Sequence, residues 1–529
     1  MSLLTRRARL NIVAPLFLLL TTAAFGGNLP KPPSTAVNDI TTTELREHLS
    51  FLASTELGGR YTLSPSLPIA ARYLATRLQA WGYRPGGDNS TYLQHFDLVS
   101  SKPKPDECSL TISANGKSAD YKFGDFFSQD AKDGSANGQL VFLGYGISAP
   151  SQHHDDYAGI DVKGKIVLIL GDGAPKDVDP SRLTDDEHSE GAARAHGAAG
   201  FMTLPGHRYL RFMRNPQFTE LAARRGSVRL EKTVEGKLPT IVLGPDVAEK
   251  LLPEFGLNYQ ELLDQSSKGD TVTPKVLDAT VKYQVAVDAT KATSQNVVGI
   301  LEGSDPKLKS EYVTFSAHYD HLETRDGRIY PGADDDGSGT SAVLTIAHAL
   351  AGAHPKRSVM IIFHAGEELG LLGSRYNTDS APAVPLNDIV ADLNIDMIGR
   401  SKPAGDTDDK DKNLTDANTV YLVGADRISK ELNRISEQTN QEFEKLKLNY
   451  LYNDPRNEER IYYRSDHWNY AKHGIPIIFY FDGTHVDYHQ PTDTIDKIDF
   501  QKMEKITRLV LETGWRLANM DHRLALDKQ

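Results

Sequence analysis

From about residue 295 onward, the chain repeats one pattern: a short apolar run, an acidic residue or histidine at or just after its end, then a loop or a helical stretch. Short apolar runs alternating with helical patterns predict an α/β architecture with much parallel pairing. In such sheets, functional side chains collect at the carboxyl ends of the strands. The runs are YVTFSAHYD, SVMIIFHAGEE, IVADLNIDMIG and IPIIFYFDG. The sequence therefore predicts a mixed, largely parallel central sheet flanked by helices.

The patterns in the rest of the 529-residue chain predict how it divides into domains. Helical patterns lie at 41–54 and 66–82, within residues 38–125, and the alternating strand and helix pattern extends over residues 281–522. Between them, residues 126–280 contain short strand-like runs separated by turns. This stretch is predicted to be a small, β-rich inserted domain.

The net charge and the N-terminus restrict partners and location. The net charge of −12 argues against nucleic acid as a partner, because phosphate binding favours a basic surface. Residues 1–26 read as a signal peptide, with Arg6, Arg7 and Arg9 before an apolar run that is short for a membrane span. The protein is predicted to be secreted or periplasmic, without stable membrane insertion after signal cleavage.

Five side chains are candidates for metal ligands. Four of them follow strand-like runs or lie in the acidic segment GADDDGSG, and the fifth lies in VDYHQPTDT near the C-terminus. Carboxylates that converge away from water need a cation or protons, and mixed histidine and carboxylate ligands suit zinc. A shared carboxylate predicts a pair of zinc ions. The candidates are His318, Asp335, Glu368, Asp396 and His489.

Glu367 is the candidate general base. It precedes Glu368 at the end of a predicted strand, so one carboxylate can bind metal while its neighbour faces the water that the ions would share. A metal lowers the pKa of its water toward 7, so a base beside it needs no large pKa rise.

Together these segments resemble metallopeptidase family twenty-eight of clan MH, which contains zinc aminopeptidases with the zinc exopeptidase fold. The resemblance implies that Asp335 bridges two Zn²⁺ ions and that the other four candidates divide between them. Asp320 resembles the residue that orients the His318 imidazole, and Tyr462 lies where relatives place a hydroxyl near the developing oxyanion. The Asp335–Asp336 peptide bond resembles one that is cis in the family.

The inserted stretch 126–280 resembles the protease-associated domain. Its segments have no catalytic spacing, so we expect either a wall that restricts access to the zinc ions or a passive stabilising insert. The remaining histidines outside the motif set are interpreted as packing or surface residues. They are His321, His348, His354, His364 and His485; for His467 both packing and a role at the site stay open, because its segment SDH lies beside the site in relatives.

The predicted function is removal of N-terminal residues from peptides or small proteins through a metal-bridging water activated by Glu367. Three alternatives stay open: a carboxypeptidase or dipeptidase on the same site, a one-zinc glutaminyl cyclase, and a non-catalytic receptor-like binding protein. The sequence predicts neither the oligomeric state nor the preferred substrate residue.

Overall fold

The computed structural model describes residues 29–128, 130–171, 173–213, 226–454 and 456–527. The predicted signal peptide, residues 1–26, lies outside the described residues. Among the helices of the described ranges, none is both long and apolar enough to cross a membrane.

The secondary structure is mixed. The strands are β1 (Arg84–Pro85), β2 (Leu93–Pro103), β3 (Ser109–Ala114), β4 (Lys117–Tyr121), β5 (Phe126–Phe127), β6 (Gly134–Phe142), β7 (Ser148–Ala149), β8 (His154–Asp155), β9 (Ile166–Leu170), β10 (Gly200–Leu204), β11 (Ser227–Leu230), β12 (Thr240–Leu243), β13 (Lys275–Val285), β14 (Val287–Leu301), β15 (Tyr312–His318), β16 (Ser358–His364), β17 (Ile389–Ile395), β18 (Thr419–Val423), β19 (Lys447–Asn449) and β20 (Ile477–Phe481). The α-helices are α1 (Ser34–Asp39), α2 (Thr42–Leu52), α3 (Leu67–Ala80), α4 (Ser189–Ala195), α5 (His207–Met213), α6 (Pro245–Leu251), α7 (Tyr259–Lys268), α8 (Gly337–Leu350), α9 (Leu372–Arg375), α10 (Lys430–Glu442), α11 (His467–Ala471) and α12 (Phe500–Asn519).

The large sheet has the strand order β11-β2-β14-β16-β15-β17-β20-β18-β19, with β1 paired to β14. Its centre is parallel, since β15 pairs in parallel with β16 and β17, and β17 with β20. The strands on the β14 side and the β18–β20 pair are antiparallel. The predicted mixed α/β fold is therefore confirmed, with the parallel pairs gathered where the acidic and histidine residues follow the strands.

Helices cover the large sheet through apolar faces. The central strands β15, β16 and β17 are buried along their whole length, which explains why they read as continuous apolar runs. Helix α8 packs against α2 and α12, and all three contribute to one hydrophobic core with the sheet. Helix α2 begins where the Thr41 side chain accepts a hydrogen bond from the Glu44 amide at 3.2 Å, as its start signal predicts.

A second sheet has the order β4-β3-β13-β6-β9-β10-β12-β5 and its own core. Its strands lie between Ser109 and Val285, so the part of the chain that we call the insert extends beyond the expected limits of 126–280 at both ends. Strand β11 lies inside this range but pairs with β2 of the large sheet.

The insert is joined to the large sheet at neighbouring points. The chain leaves at the end of β2 and returns at the start of β14, where Pro103 and Val287 are partners in the antiparallel ladder. Strands β13 and β14 are separated only by Ala286. Both ends of the insert are thus anchored to the large sheet at the same end of a single ladder.

Candidate metal centre

The carboxyl ends of three adjacent parallel strands carry most of the candidate site. His318 is the last residue of β15, and it is in register with His364 at the end of β16. Glu367 and Glu368 follow β16, and Asp396 follows β17. Because parallel strands end on the same edge of a sheet, side chains that are far apart in the sequence meet there.

The loop before α8 delivers Asp335 to the same edge. The Asp493 carboxylate accepts hydrogen bonds from the amides of Asp334 and Asp335, at 3.0 and 3.2 Å. The side chain of Asp336 caps α8 by accepting from the Gly339 amide at 2.8 Å. The Asp335–Asp336 peptide bond is cis, as expected from the resemblance.

Arg60 holds this loop from the opposite side. Its buried guanidinium donates to the carbonyls of Pro331 at 2.7 Å and Gly332 at 3.0 Å. It also donates to the carbonyl of Tyr319 at 2.9 Å, and so ties the loop to the segment after β15. Burial lowers the pKa of Arg60, although the charges of nearby aspartates, Asp320 first among them, oppose this. The sequence alone gave no sign of this residue.

One set of donor atoms gathers around His318. Its Nε2 atom lies 3.4 Å from Oδ1 of Asp335 and 3.6 Å from Oδ1 of Asp396. The donor atoms that these three residues offer all lie within 4.8 Å of one another. Their spacing is suitable for a single divalent cation among them.

A second set shares Asp335 and gathers around Glu368. Nε2 of His489 lies 3.0 Å from Oε2 of Glu368 and 3.0 Å from Oδ2 of Asp335. Nδ1 of His321 lies 2.7 Å from Oε1 of Glu368. The structure therefore brings together all five predicted ligands and adds His321, which the sequence analysis interpreted as a packing residue.

The backbone at His489 supports a functional constraint. Its φ of 57° lies in the left-handed region, which few residues other than glycine adopt. Such conformations persist where the surrounding structure fixes them, and they cluster at functional sites.

The orientation of His318 differs from the expected one. Its Nδ1–H donates to the backbone carbonyl of Asp320 at 3.1 Å, whereas the Asp320 carboxylate is 3.8 Å away. That carboxylate instead accepts from the Thr62 hydroxyl at 2.6 Å and from the Glu367 amide at 3.2 Å. The carbonyl of Asp320 fixes the His318 tautomer, and its side chain positions Glu367.

Glu367 lies at the edge of the donor sets. Its Oε2 atom is 3.9 Å from Nε2 of His318, and its side chain is only 12% exposed. Burial raises the pKa of Glu367 well above its usual value, and the negative charges of Glu368, Asp396 and Asp466 add to this rise, while His318 opposes it. A cation among these carboxylates reverses the direction of that shift.

The charges of the neighbouring histidines stabilise two of the carboxylates. Burial and Asp335 raise the pKa of Glu368, but His489 and His321 outweigh them and bring it to about 2. Burial lowers the pKa of His489, yet Glu368 and Asp335 raise it to about 10. In the protein alone, protons on the histidines thus take the place that a cation would occupy.

Buried nitrogen and oxygen atoms that lack a hydrogen-bond partner indicate whether these residues are suited to bind a metal ion. Within the described ranges, several nitrogen and oxygen atoms that face one another in this cluster have no hydrogen-bond partner. Buried polar atoms without partners are rare in native proteins, so a group of them implies a missing ligand. The combination of imidazole nitrogens and carboxylate oxygens fits zinc. The atoms are Nε2 of His318, Nδ1 and Nε2 of His321, Oδ2 of Asp335, Oε1 of Glu368 and Oδ1 of Asp396.

Tyr462 lies apart from this centre. Its ring is buried and packs edge-to-face against Tyr463 and Trp468, at centroid distances of 5.4 and 5.8 Å. The side chains that line the small cavity at the centre do not include Tyr462. The geometry therefore does not support the oxyanion role expected for Tyr462.

Tyr488 occupies the cavity instead. Its ring stacks on His489 at a centroid distance of 3.9 Å, and its hydroxyl accepts a hydrogen bond from Nη2 of Arg464 at 3.1 Å. Burial raises the pKa of Tyr488 well above its usual value, so the hydroxyl keeps a proton that it can donate. The lining of this metal-centre cavity includes Asp335, Glu367, Asp396, Arg464, Tyr488 and the apolar residues Met397, Ile461, Phe479 and Phe481.

Other histidines near the centre have structural partners. The His467 ring donates from Nε2 to the Tyr462 carbonyl at 2.9 Å and stacks on Phe479. His364 forms a hydrogen bond of 3.2 Å with the hydroxyl of Tyr470. His364 is thus a packing histidine, as the sequence analysis interpreted it, and the contacts of His467 favour packing over a role at the site.

Comparison with known proteins gives the family of this region. Residues 296–514, which contain the six clustered residues, match the family model described as Peptidase family M28. The chain is therefore similar to this family over residues 296–514, which we call the M28 segment. The M28 segment includes β15, β16, β17 and β20 and the loops that carry the donor atoms.

Curated relatives of the M28 segment are named as aminopeptidases. Aminopeptidase YwaD of Bacillus subtilis (strain 168) is 36% identical over 124 residues, 23% of this chain and 25% of the relative. A probable leucine aminopeptidase of Arthroderma otae is 30% identical over 235 residues, 42% of this chain and 57% of the relative. The chain therefore spans between a quarter and just over half of the length of these relatives.

The fold extends over a longer stretch than these sequence matches. An aminopeptidase from Aneurinibacillus sp. strain AM-1 aligns with 94% of this chain and 98% of its own chain, with a TM-score of 0.53 and 18% identity. At that identity the likeness concerns the fold alone.

Proposed function

We propose that the protein is a two-zinc metallo-aminopeptidase that removes N-terminal residues from peptides. The observation that carries this proposal is the convergence of unpartnered donor atoms from five residues beside the carboxylate of Glu367. The names of the relatives of the M28 segment support the same activity.

Asp335 would contribute to both metal positions. His318 and Asp396 complete one set of donors, and Glu368, His489 and His321 complete the other. When bound, the zinc ions would supply Lewis acidity toward the substrate carbonyl and toward the attacking water. The set with fewer protein donors leaves more room for substrate, as in other catalytic zinc sites.

Glu367 acts as the general base and then as the general acid. Its carboxylate takes a proton from the attacking water and delivers it to the amine that leaves when the peptide bond breaks. The hydrogen bond from the Glu367 amide to Asp320 holds the base at the edge of the cavity. Positioned proton transfer of this kind accounts for roughly 10²–10⁴-fold in rate.

Tyr488 donates a hydrogen bond to the substrate carbonyl oxygen as negative charge develops on it. Arg464 donates to the Tyr488 oxygen, so the phenolic proton is left free to point toward the cavity. A preorganised donor aimed at the developing charge stabilises the transition state more than the ground state.

One carboxylate of the cavity lining is free of the proposed zinc positions and favours a substrate with a free amino terminus. Asp335 and Asp396 belong to the donor sets, whereas Glu367 lines the same cavity outside them, where its negative charge can attract an ammonium group. The presence of two donor sets favours a two-zinc peptidase over a one-zinc glutaminyl cyclase. The pairing of Glu367 with a complete donor set favours an enzyme over a receptor-like binding protein.

We also propose that the protein acts outside the cytoplasm. The charged start, the short apolar run and the small residues that follow it, within residues 1–26, are the basis of this proposal. Sequencing the N-terminus of protein recovered from the medium or periplasm tests it, since a mature start near residue 27 is expected.

Substituting the adjacent glutamates separately tests the proposed activity. Glu367→Gln should retain two zinc ions per chain yet lose about 10²–10⁴-fold in kcat on leucine p-nitroanilide. Glu368→Gln should lose zinc as well as activity. N-acetylation of the substrate should abolish cleavage by the wild type. An active Glu367→Gln variant, or cleavage of the acetylated substrate at an equal rate, would contradict the proposal.

A further inference from the structure

A large cleft lies between the insert and the large-sheet domain. Its volume is about 1250 Å³, above the usual range for small-molecule sites. Tyr145 and Asp179 contribute to the wall formed by the insert, and Leu371 and Trp468 to the opposite wall. The turn that carries Glu367 also forms part of that opposite wall, because the amide of Leu371 donates to the Glu367 carbonyl at 3.0 Å. The cleft is therefore adjacent to the proposed active site, and Arg464 belongs to the linings of both.

Cationic side chains outnumber carboxylates in the lining of this cleft. Some of the cations are neutralised: Arg427 pairs with Asp179 at 3.0 Å, and Arg375 pairs with Asp185 at 2.8 Å. The chain as a whole carries a net charge of −12, so this positive lining runs against the overall charge. The cationic side chains are Arg182, Arg375, Arg427, Arg460, Arg464 and Lys472.

Arg464 and Arg460 are among the arginines of this cleft that have no carboxylate partner within the described residues. Arg464 donates to the Tyr488 hydroxyl, and the Arg460 guanidinium lies 4.7 Å from the centroid of the Tyr463 ring. In the part of the chain that the structure describes, no carboxylate oxygen lies within 4.0 Å of either guanidinium. Both side chains are only half-buried, so each can still bind an anion.

Of the two arginines, Arg464 lies nearer to the metal-centre cavity than Arg460. Arg464 lines both the metal-centre cavity and the large cleft, whereas Arg460, one turn earlier in the chain, lines only the large cleft. A peptide whose N-terminus lies among the carboxylates of the cavity passes Arg464 first and Arg460 next.

We propose that this cleft selects peptides that carry carboxylates on the C-terminal side of the cleaved bond. Arg464 and Arg460 would each pair with a side-chain or terminal carboxylate of the substrate. The metal-centre cavity would bind the amino terminus of the substrate, and the arginines of the cleft would bind carboxylates downstream of the cleaved bond. The charges of the two regions would therefore fix the orientation of the peptide. This inference rests on the proposed aminopeptidase activity and adds a substrate class to it.

Matched tetrapeptides test the proposal on the full-length, zinc-loaded protein. Leu-Ala-Glu-Glu, Leu-Ala-Gln-Gln and Leu-Ala-Lys-Lys have the same first peptide bond and differ only downstream. We expect kcat/KM for the acidic peptide to exceed that for the neutral one by about tenfold, mainly through KM, as one charge-assisted hydrogen bond would give. Raising the NaCl concentration to about 0.5 M should reduce the ratio by screening.

The ratio of acidic to neutral kcat/KM is compared within each variant, so changes in folding or overall catalysis cancel. Arg460→Gln and Arg464→Gln should each bring the ratio toward one. Arg84→Gln, on the exposed β1 strand, should keep the wild-type ratio. Equal hydrolysis of the acidic and neutral peptides by wild type would overturn the proposal and leave the aminopeptidase assignment intact. Failure of zinc-loaded protein to release leucine from any of the three peptides would overturn both.

Discussion

Nδ1 of His321 lies 2.7 Å from Oε1 of Glu368, while Nε2 of His489 lies 3.0 Å from the other oxygen of the same carboxylate. Two imidazoles therefore flank one acid. The His321 contact is not aligned as a hydrogen bond, and neither nitrogen of the buried ring has a partner among the described residues. We infer that His321 is a nitrogen donor for the ion on the Glu368 side.

Replacing His321 should weaken the binding of one ion selectively. We expect His321→Gln to bind one of its two zinc ions at least 10–100-fold more weakly, a loss of the size that displaced ligand support produces. Equilibrium dialysis with metal analysis measures this without relying on activity, and visible absorption of the Co²⁺-substituted protein reports the ligand change. His354→Gln changes an exposed histidine and is the control. Unchanged affinity for both ions would exclude His321 as a donor.

The two candidate tyrosines can be distinguished by removing one oxygen atom from each. Tyr488→Phe should lower kcat on leucine p-nitroanilide by about 10²-fold with little change in KM, as expected when one oxyanion donor is lost. Tyr462→Phe should have a much smaller effect, because its ring packs away from the metal-centre cavity. Zinc content should be unchanged in both variants. A larger loss in the Tyr462 variant would return the role to that residue.

Metal removal should destabilise the protein. A cation bound to the folded protein would offset the mutual repulsion of the buried carboxylates of Asp335, Glu368 and Asp396, so chelation should lower Tm by about 5–10 °C. Differential scanning fluorimetry with dipicolinate, followed by addition of Zn²⁺, measures the loss and its recovery. A Tm that does not respond to chelator in a sample shown to be metal-free would contradict a structural role for the ions.

Glu512 should make the stability decrease as the pH rises. The residue is 1% exposed in α12, and burial, together with the charge of Glu444, raises its pKa from 4.5 to about 8. Between these two values the folded protein holds a proton that the unfolded chain has lost, so the free energy of unfolding falls as pH increases through this window. At higher pH the carboxylate is charged and buried in the folded state.

Removing that carboxylate should therefore stabilise the protein at alkaline pH. Glu512→Gln should raise Tm relative to wild type at pH 9 by roughly 2 °C or more, and the difference should shrink at pH 5. Glu47→Gln, on the exposed face of α2, should show no such pH dependence. A Tm difference that is the same at both values would mean that titration of Glu512 is not its cause.

The sequence predicted the parts of the site that follow from strand ends. His318, Glu368 and Asp396 each lie at or just after a continuous apolar run, and parallel pairing of those runs was enough to bring them to one edge. Asp335 and His489 were candidates because of their residue types and segments, but they lie in loops whose position cannot be argued from strand ends, and the bridging role of Asp335 came only from the family resemblance.

Side-chain direction in loops could not be predicted in this way. His321 follows His318 by three positions, and only the fold of the segment after β15 turns both rings toward the same acids. Tyr462 and Tyr488 are each close to motif residues in sequence, but backbone geometry sends one into packing and the other into the cavity. Arg60 acts through carbonyls, a kind of contact that leaves no pattern in the sequence.

The limits of the insert also depended on pairing rather than composition. Strand β3 alternates buried and exposed residues as β2 does, and only its antiparallel partner β13 assigns it to the second sheet. Strand β11, in contrast, lies among the insert residues but adds to the edge of the large sheet.

Pro103 and Val287 face each other across the β2–β14 ladder, and the whole insert is the chain between them. An insert whose two ends are neighbours can be gained, exchanged or shortened by recombination without changing the strand order of the large sheet. The exception is β11, the strand of the insert that pairs with β2. Because Tyr145 and Asp179 of the insert line the large cleft, replacing this one contiguous segment would change a wall of the cleft and leave the clustered donor residues unchanged.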